Sequence, residues 1–284
     1  MDRRRSKKGP VPRSVIEMEA HITVRLSSGD HLTKKLEGGI MMKKLFVKDY
    51  HQLSLTAFDL FLQEFQDNPA GTFGFATGST PIGFYQRILE DHALYQTDYS
   101  NIKTFNLDEY VGLDEHQPQS YHHFMRHQLF NPLGIGREQV HIPKGNAEDL
   151  QKECTRYESL LSSNPIDLQI LGIGENGHIG FNEPGTTFES GVHITTLKES
   201  TRQANSRFFD SIHEVPTQAI TMGIQNILHA KKILVLVSGS SKAPILKEIF
   251  HHPVTTKIPA SALHHHPDTT FIIDEKAAVS LSDD

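Results

Sequence analysis

The chain is nearly devoid of cysteine: Cys154 is alone among 284 residues. One thiol excludes an internal disulfide, and its solitude fits a reducing, cytoplasmic compartment. With no second Cys and no His beside it in the sequence, Cys154 reads as a thiol on a helix surface rather than a nucleophile or ligand. No apolar run approaches the ~18 residues that a membrane-spanning helix requires. The N-terminus lacks the apolar stretch of a secretory signal. Asp2, Glu17, Glu19, Asp30 and Glu37 make it too acidic for a mitochondrial presequence. The Gly-Lys-Ser/Thr of a Walker A loop is missing. Eighteen histidines invite a metal reading, yet no His-x-x-x-His or Cys-x-x-Cys stands on a clear helix. His264-His265-His266 reads as a loop at a strand edge, so no metal is expected.

Charge is unevenly spread. Residues 1–40 hold nine Lys or Arg against five Asp or Glu, a net +4, while the remainder holds 19 against 29, a net −10. An acidic body argues against nucleic acid as a partner. Residues 1–41 form a basic extension, read as a disordered arm or as translated leader sequence. Glu37-Gly38-Gly39 just ahead of Met41-Met42 is what a purine-rich ribosome-binding sequence yields when read in frame, which puts the expected start at Met41 or Met42. Residues 42–284 show no repeat or linker and read as one domain, large enough to bury a sizeable core.

Within that domain strands and helices alternate. Strands are predicted at Leu45–Val47, Thr72–Ala76, Ile102–Leu107, Val140–Ile142, Asp167–Leu171, Ala219–Met222, Lys232–Val237 and Thr270–Ile273. Helices are predicted at Leu53–Phe65, Ile82–Leu89, Ser120–Phe130, Ala147–Leu161 and Ala243–Phe250, from apolar residues at helical spacing. Such alternation implies an α/β fold: a largely parallel twisted sheet with helices on both faces, Rossmann-like, with ligands beyond the carboxyl ends of the strands.

Three loops fall at such ends. Thr77-Gly78-Ser79-Thr80, before Pro81, offers hydroxyls and helix N-terminal amides, which suit a phosphate or an ordinary capped turn. Asp108 and Glu109 end a strand; adjacent strand residues face opposite ways, so only one should face a ligand, as a base or merely as a cap. Gly172–Pro184 holds His178 and Glu183 in a Gly-rich turn with Asn176, a proton relay or a structural histidine. Arg207 and Lys242 suit phosphate if they are more than solvated surface charges.

Together, Ala76–Pro81, Asn106–Leu113, Gly172–Pro184, Thr201–Phe209 and Ser238–Lys242 closely resemble the glucosamine-6-phosphate deaminase family, over a span from about Met42 to Val279. The resemblance implies an enzyme that converts glucosamine 6-phosphate to fructose 6-phosphate and ammonia in amino-sugar catabolism, with no cofactor. It implies that Asp108 moves a proton between C2 and C1 of the open sugar. His178 would assist ring opening, Glu183 and Asn176 would orient it, and Thr77, Gly78, Ser79, Thr80, Arg207 and Lys242 would hold the phosphate. Many members carry Asp where this chain has Asn176, so a less raised His178 pKa is expected. Longer members carry a C-terminal segment and form hexamers activated by N-acetylglucosamine 6-phosphate. The short tail beyond Ile273 therefore predicts a short form without that control, a monomer or low-order homo-oligomer. Thr186–Thr196 is the expected lid. Rival readings are a 6-phosphogluconolactonase-like hydrolase, disfavoured by the Asp108 and His178 motifs, and a sugar-phosphate sensor, disfavoured by the lack of a DNA-binding helix pair.

Overall fold

The computed structural model describes residues 42–281; the expectations for residues 1–41 lie outside them. The first half of the chain runs β1 (Lys43–Val47), α1 (Tyr50–Asp67), β2 (Thr72–Phe75), α2 (Ile82–Tyr95), β3 (Lys103–Asn106), β4 (Asp108–Tyr110), α3 (Tyr121–Met125) and β5 (Val140–His141). The second runs α4 (Leu150–Ser163), β6 (Leu168–Leu171), β7 (His193–Thr196), α5 (Glu199–Asn205), β8 (Gln218–Thr221), α6 (Ile224–Leu228), β9 (Lys232–Val237), α7 (Ala243–His251), β10 (Thr269–Asp274) and α8 (Glu275–Ala278).

Seven strands make a wholly parallel sheet in the order β1-β10-β9-β6-β2-β3-β5. Chain progress runs outward from β2 through β3 to β5, then restarts at β6 and runs the other way through β9 to β10. The direction therefore switches between β2 and β6, where a crevice opens at the carboxyl ends of the strands. The loops that leave β2 and β6 are Ala76–Pro81 and Gly172–Pro184, the two most ligand-like segments in the sequence.

Alternation along the central strands fills both faces. Phe73, Phe75, Ile170, Leu234, Leu236 and Ile272 join one apolar cluster with Leu53, Phe61 and Phe84 of α1 and α2. Leu171, Ile233, Val235, Phe271 and Ile273 join the other, with Tyr157 of α4 and Leu246 and Ile249 of α7. The period of two along a strand makes this division unavoidable once both faces are covered. The α1 helix buries Leu53, Ala57, Phe61 and Phe65, one turn apart, and starts where the Asp49 side chain accepts the Gln52 amide at 2.9 Å.

Three expectations are corrected. Residues 219–222 do not extend the parallel sheet: β8 pairs antiparallel with both β4 and β7 in a separate three-stranded sheet. The expected lid, 186–196, thus ends in a paired strand, β7. The helix expected through Phe130 keeps α geometry only to Met125, after which Arg126–Phe130 widens into a π turn. Cys154 is buried on α4 rather than exposed, because it falls on the same helix face as Tyr157 and Leu161.

Candidate active site

The chain turns sharply at Leu107, between β3 and β4, where the Leu107 carbonyl accepts the Met222 amide at 2.7 Å. This bend delivers Asp108 and Glu109 with opposite orientations. Glu109 is consumed locally: its carboxylate accepts the amides of Tyr110 (2.8 Å), Tyr121 and His122 (3.0 Å each), and pairs with His122 Nδ1 at 3.0 Å. It holds the first two amides of α3, whose N-cap is Ser120. Asp108 is buried yet takes no hydrogen bond from the described residues, and its carboxylate looks toward the Gly172–Pro184 loop. A methyl group placed on Gly180 would lie 3.5 Å from Asp108 Oδ2. Burial first, and the charge of Glu109 second, push the Asp108 carboxyl well above the usual carboxylate range. The ambiguity of the two adjacent acids is thereby resolved: Glu109 is structural and Asp108 is the free one.

The Gly172–Pro184 loop is held by Asn182, whose amide reaches the carbonyls of Ile179 and Met222 at 2.8 Å each. His178 lies over Gly174 so closely that a Cβ there would sit 2.2–2.5 Å from imidazole atoms. Only glycine at 174 leaves room for the ring. Glu183 Oε2 accepts the Asn176 amide at 2.8 Å and stands 3.9 Å from His178 Nδ1. Asn176 Oδ1 accepts the His178 backbone amide at 3.1 Å. Asn176 therefore ties the histidine's backbone to the carboxylate and does not touch the ring. The buried Nδ1 has no other partner among the described residues, so the 21% of the side chain left open belongs to its other atoms. Burial lowers the His178 pKa, Glu183 works against that, and Lys242 adds to it.

Sequence reasoning gave no role to Thr201, although it lay inside a recognised motif. Its hydroxyl donates to Glu183 Oε1 at 2.5 Å, and the Lys198 amide approaches the same oxygen at 3.4 Å. A hydroxyl fifteen or more residues from its carboxylate leaves no local sequence signal.

The phosphate-like side of the site is built from the loops that leave β2 and β9 and from the turn after α5. Gly78 carries φ +95°, which lets the loop after β2 turn into α2. Tyr50 donates to the carbonyls of Ser79 (3.2 Å) and Thr80 (2.9 Å) and accepts the Gly83 amide (2.8 Å); Tyr85 donates to the Ala76 carbonyl. The loop is thus fixed from behind. Tyr121 faces Thr77 across it. Arg207 reaches Ser79 Oγ at 3.2 Å. Lys242 follows β9 after Gly239, whose amide is held by Asp274 at 3.1 Å. Burial lowers the Lys242 pKa, which Glu175 opposes and Arg207 reinforces. Two cations thus converge with no carboxylate among the described residues bonded to either. All ten sequence-predicted residues fall in one region at the carboxyl end of the parallel sheet.

No group of three His, Cys, Asp or Glu able to hold a metal occurs among the described residues. A His-x-x-x-His pair does stand on a helical segment, contrary to the expectation: His123 and His127 stack with ring centroids 3.9 Å apart across the α3 turn. No helix among the described residues is long and apolar enough to cross a membrane.

Residues 51–272 match the family model of glucosamine-6-phosphate isomerases and 6-phosphogluconolactonase. The chain is 49% identical to glucosamine-6-phosphate deaminase of Thermoanaerobacter pseudethanolicus over 244 residues, 86% of this chain and 96% of that one. It is 50% identical to the deaminase of Lactobacillus delbrueckii subsp. bulgaricus over 240 residues, 84% of this chain and all of that one. A solved monomeric glucosamine-6-phosphate deaminase superposes with a TM-score of 0.82 at 46% identity, covering 84% of this chain and 100% of that chain. The 6-phosphogluconolactonase of Trypanosoma cruzi superposes at 0.71 with 19% identity over 86% of this chain and 98% of that one, a likeness of fold alone.

Proposed function

The chain belongs to the family of glucosamine-6-phosphate isomerases and 6-phosphogluconolactonases, and from that membership we infer that it is a glucosamine-6-phosphate deaminase. The reaction adds water to glucosamine 6-phosphate and yields fructose 6-phosphate and ammonia. The observation that carries this reading is Asp108: a buried carboxylate, without a hydrogen bond from the described residues and raised in pKa, beside an imidazole backed by a fixed carboxylate.

The chemistry follows from the placement. Ser79, Arg207, Lys242 and the rest of the Thr77–Thr80 loop hold the phosphate, which fixes the sugar at a distance from the reacting carbons. His178, neutral near pH 7 because its pKa is lowered, accepts the anomeric hydroxyl proton and returns it to the ring oxygen, opening the ring. Glu183 stabilises the imidazolium formed on the way. Asp108 removes the proton from C2 and delivers it to C1, while the C1 carbonyl oxygen gains a proton and the amino nitrogen loses one, which turns the amino aldehyde into a C2 imine with a C1 hydroxyl. Water adds to C2, the C–N bond breaks, and ammonia leaves. Burial of Asp108 strengthens it as a base once ionised. The protein acts as a monomer in the cytoplasm, in keeping with its monomeric structural relative and its single cysteine.

Ammonia release from glucosamine 6-phosphate is the test. Asp108→Asn should lower kcat by about a thousandfold or more while substrate still binds, as expected when a general base is lost. Activity retained in Asp108→Asn would remove Asp108 as the base. No ammonia from the unaltered chain would remove the reaction.

A further inference from the structure

On the side of β4 that Glu109 faces, a cavity of about 480 Å³ opens, and no candidate active-site residue lines it. Gly145 on its wall packs against Glu109, so closely that a methyl group there would stand 3.2 Å from Glu109 Cγ. The walls are rich in cations. Arg137 is engaged by Glu115 at 3.1 Å, and Arg156 by Glu153 through Nε at 2.6 Å and Nη2 at 2.5 Å. Asp114 takes the Asn146 amide at 2.8 Å, and His122 is paired with Glu109. Arg126 and Lys144 remain, and neither side chain has a hydrogen-bonding or ionic partner among the described residues. Arg126 Nε is fully buried without an acceptor. Arg126 also opens the π turn, whose Asn131 amide reaches back five residues to the Arg126 carbonyl at 2.9 Å, and such turns recur at functional sites. His141, on the same wall, is held below the ordinary imidazole pKa by burial and by the cations Arg156 and Lys103.

We propose that this cavity is a second, non-catalytic binding site for a phosphate monoester. Arg126 and Lys144, set against the one wall carboxylate that only neutral amides hold, Asp114, leave a net positive charge that suits a phosphate anion, and the guanidinium offers the paired donors that phosphate oxygens accept. The volume exceeds what bare phosphate needs and lies in the range of small-molecule sites. Leu113, Val140 and Ile142 supply an apolar wall for the carbon portion.

The test is calorimetric titration of glycerol 3-phosphate into the full chain carrying Arg207→Gln and Lys242→Met, which disables the catalytic phosphate site. One equivalent should still bind. Adding Arg126→Gln or, separately, Lys144→Met should weaken binding about tenfold or more, the scale of losing one charge-assisted contact. Lys144 is exposed, so Lys144→Met should leave the thermal unfolding curve unchanged and guards against misfolding as the cause. No binding in the doubly substituted protein, or binding indifferent to both further substitutions, would overturn the proposal. Ammonia release by the chain carrying Lys144→Met alone should equal that of the unaltered chain, so failure here is separable from failure of the catalytic reading.

Discussion

Asp108 shows how one residue sets chemistry and stability against each other. Its folded pKa is raised above its unfolded value, so its contribution to stability is greatest when it is protonated and is lost as pH rises through the folded pKa. Above the unfolded pKa, keeping this carboxyl buried destabilises the fold, whether by burying its charge or by forcing it to hold a proton. Asp108→Asn should therefore melt higher than the unaltered chain at pH 8, by about 2–4 °C for each kcal/mol relieved, and the two curves should converge in acid. A lower melting temperature at both pH values would show that the carboxylate is stabilised by something other than its acid–base state. Position 176 is the second residue-scale lever. Asn176→Asp would set a second carboxylate beside Glu183 and His178 and raise the imidazole pKa, so the ascending limb of the rate–pH profile that reports His178 should move to higher pH. An unchanged profile would leave position 176 a purely structural tie between Glu183 and the His178 amide.

At the scale of elements, α5 and the turn after it do two jobs. Thr201 and the Lys198 amide fix Glu183 from the helix start, while Arg207 extends from the turn at its end to Ser79. Arg202 bolts the same helix to the carbonyls of Ile212 and Val215 at 3.0 Å. Phosphate recognition and the acid–base relay therefore share one short rigid piece. Thr201→Val should lower kcat roughly ten- to a hundredfold, the loss expected for a hydrogen bond to a buried carboxylate, with KM changed less. Thr201→Ser should restore most of the rate. A valine variant with normal kcat would show that Glu183 is placed without the hydroxyl. The parallel strands around this piece were legible in the sequence because strands buried on both faces are short apolar runs. The antiparallel sheet was not. β4 is Asp-Glu-Tyr, which carries charge where a strand normally carries apolar side chains, and β7 is half-exposed His-Ile-Thr-Thr. Each becomes a strand only through pairing with β8, far along the chain. The candidate site residues stand out in the sequence because glycine, hydroxyl and carboxylate clusters follow apolar runs. The choice between Asp108 and Glu109 was not legible, because it depends on where the amides of Tyr121 and His122 arrive.

Across the whole molecule, one sheet separates two apolar clusters, and neighbouring residues of β6 belong to different ones: Ile170 to the first, Leu171 to the second. The clusters should therefore fail together. Ile170→Ala and Leu171→Ala should each cost about 2–5 kcal/mol and lower Tm by roughly 5–15 °C, with near- and far-ultraviolet circular dichroism changing in a single coincident transition. Two separated transitions in either variant would show that the faces unfold independently.

β1 lies at the sheet edge, with Lys43 opposite Thr270 and Val47 opposite Asp274 of β10. During synthesis, then, the first of the described strands must wait for the last of them. At ~5–20 residues per second that interval is roughly ten to forty-five seconds, during which Leu45 and Val47 have no partner strand. The Lys43-Lys44 pair ahead of them keeps that waiting strand charged and so less apt to join a neighbouring nascent chain.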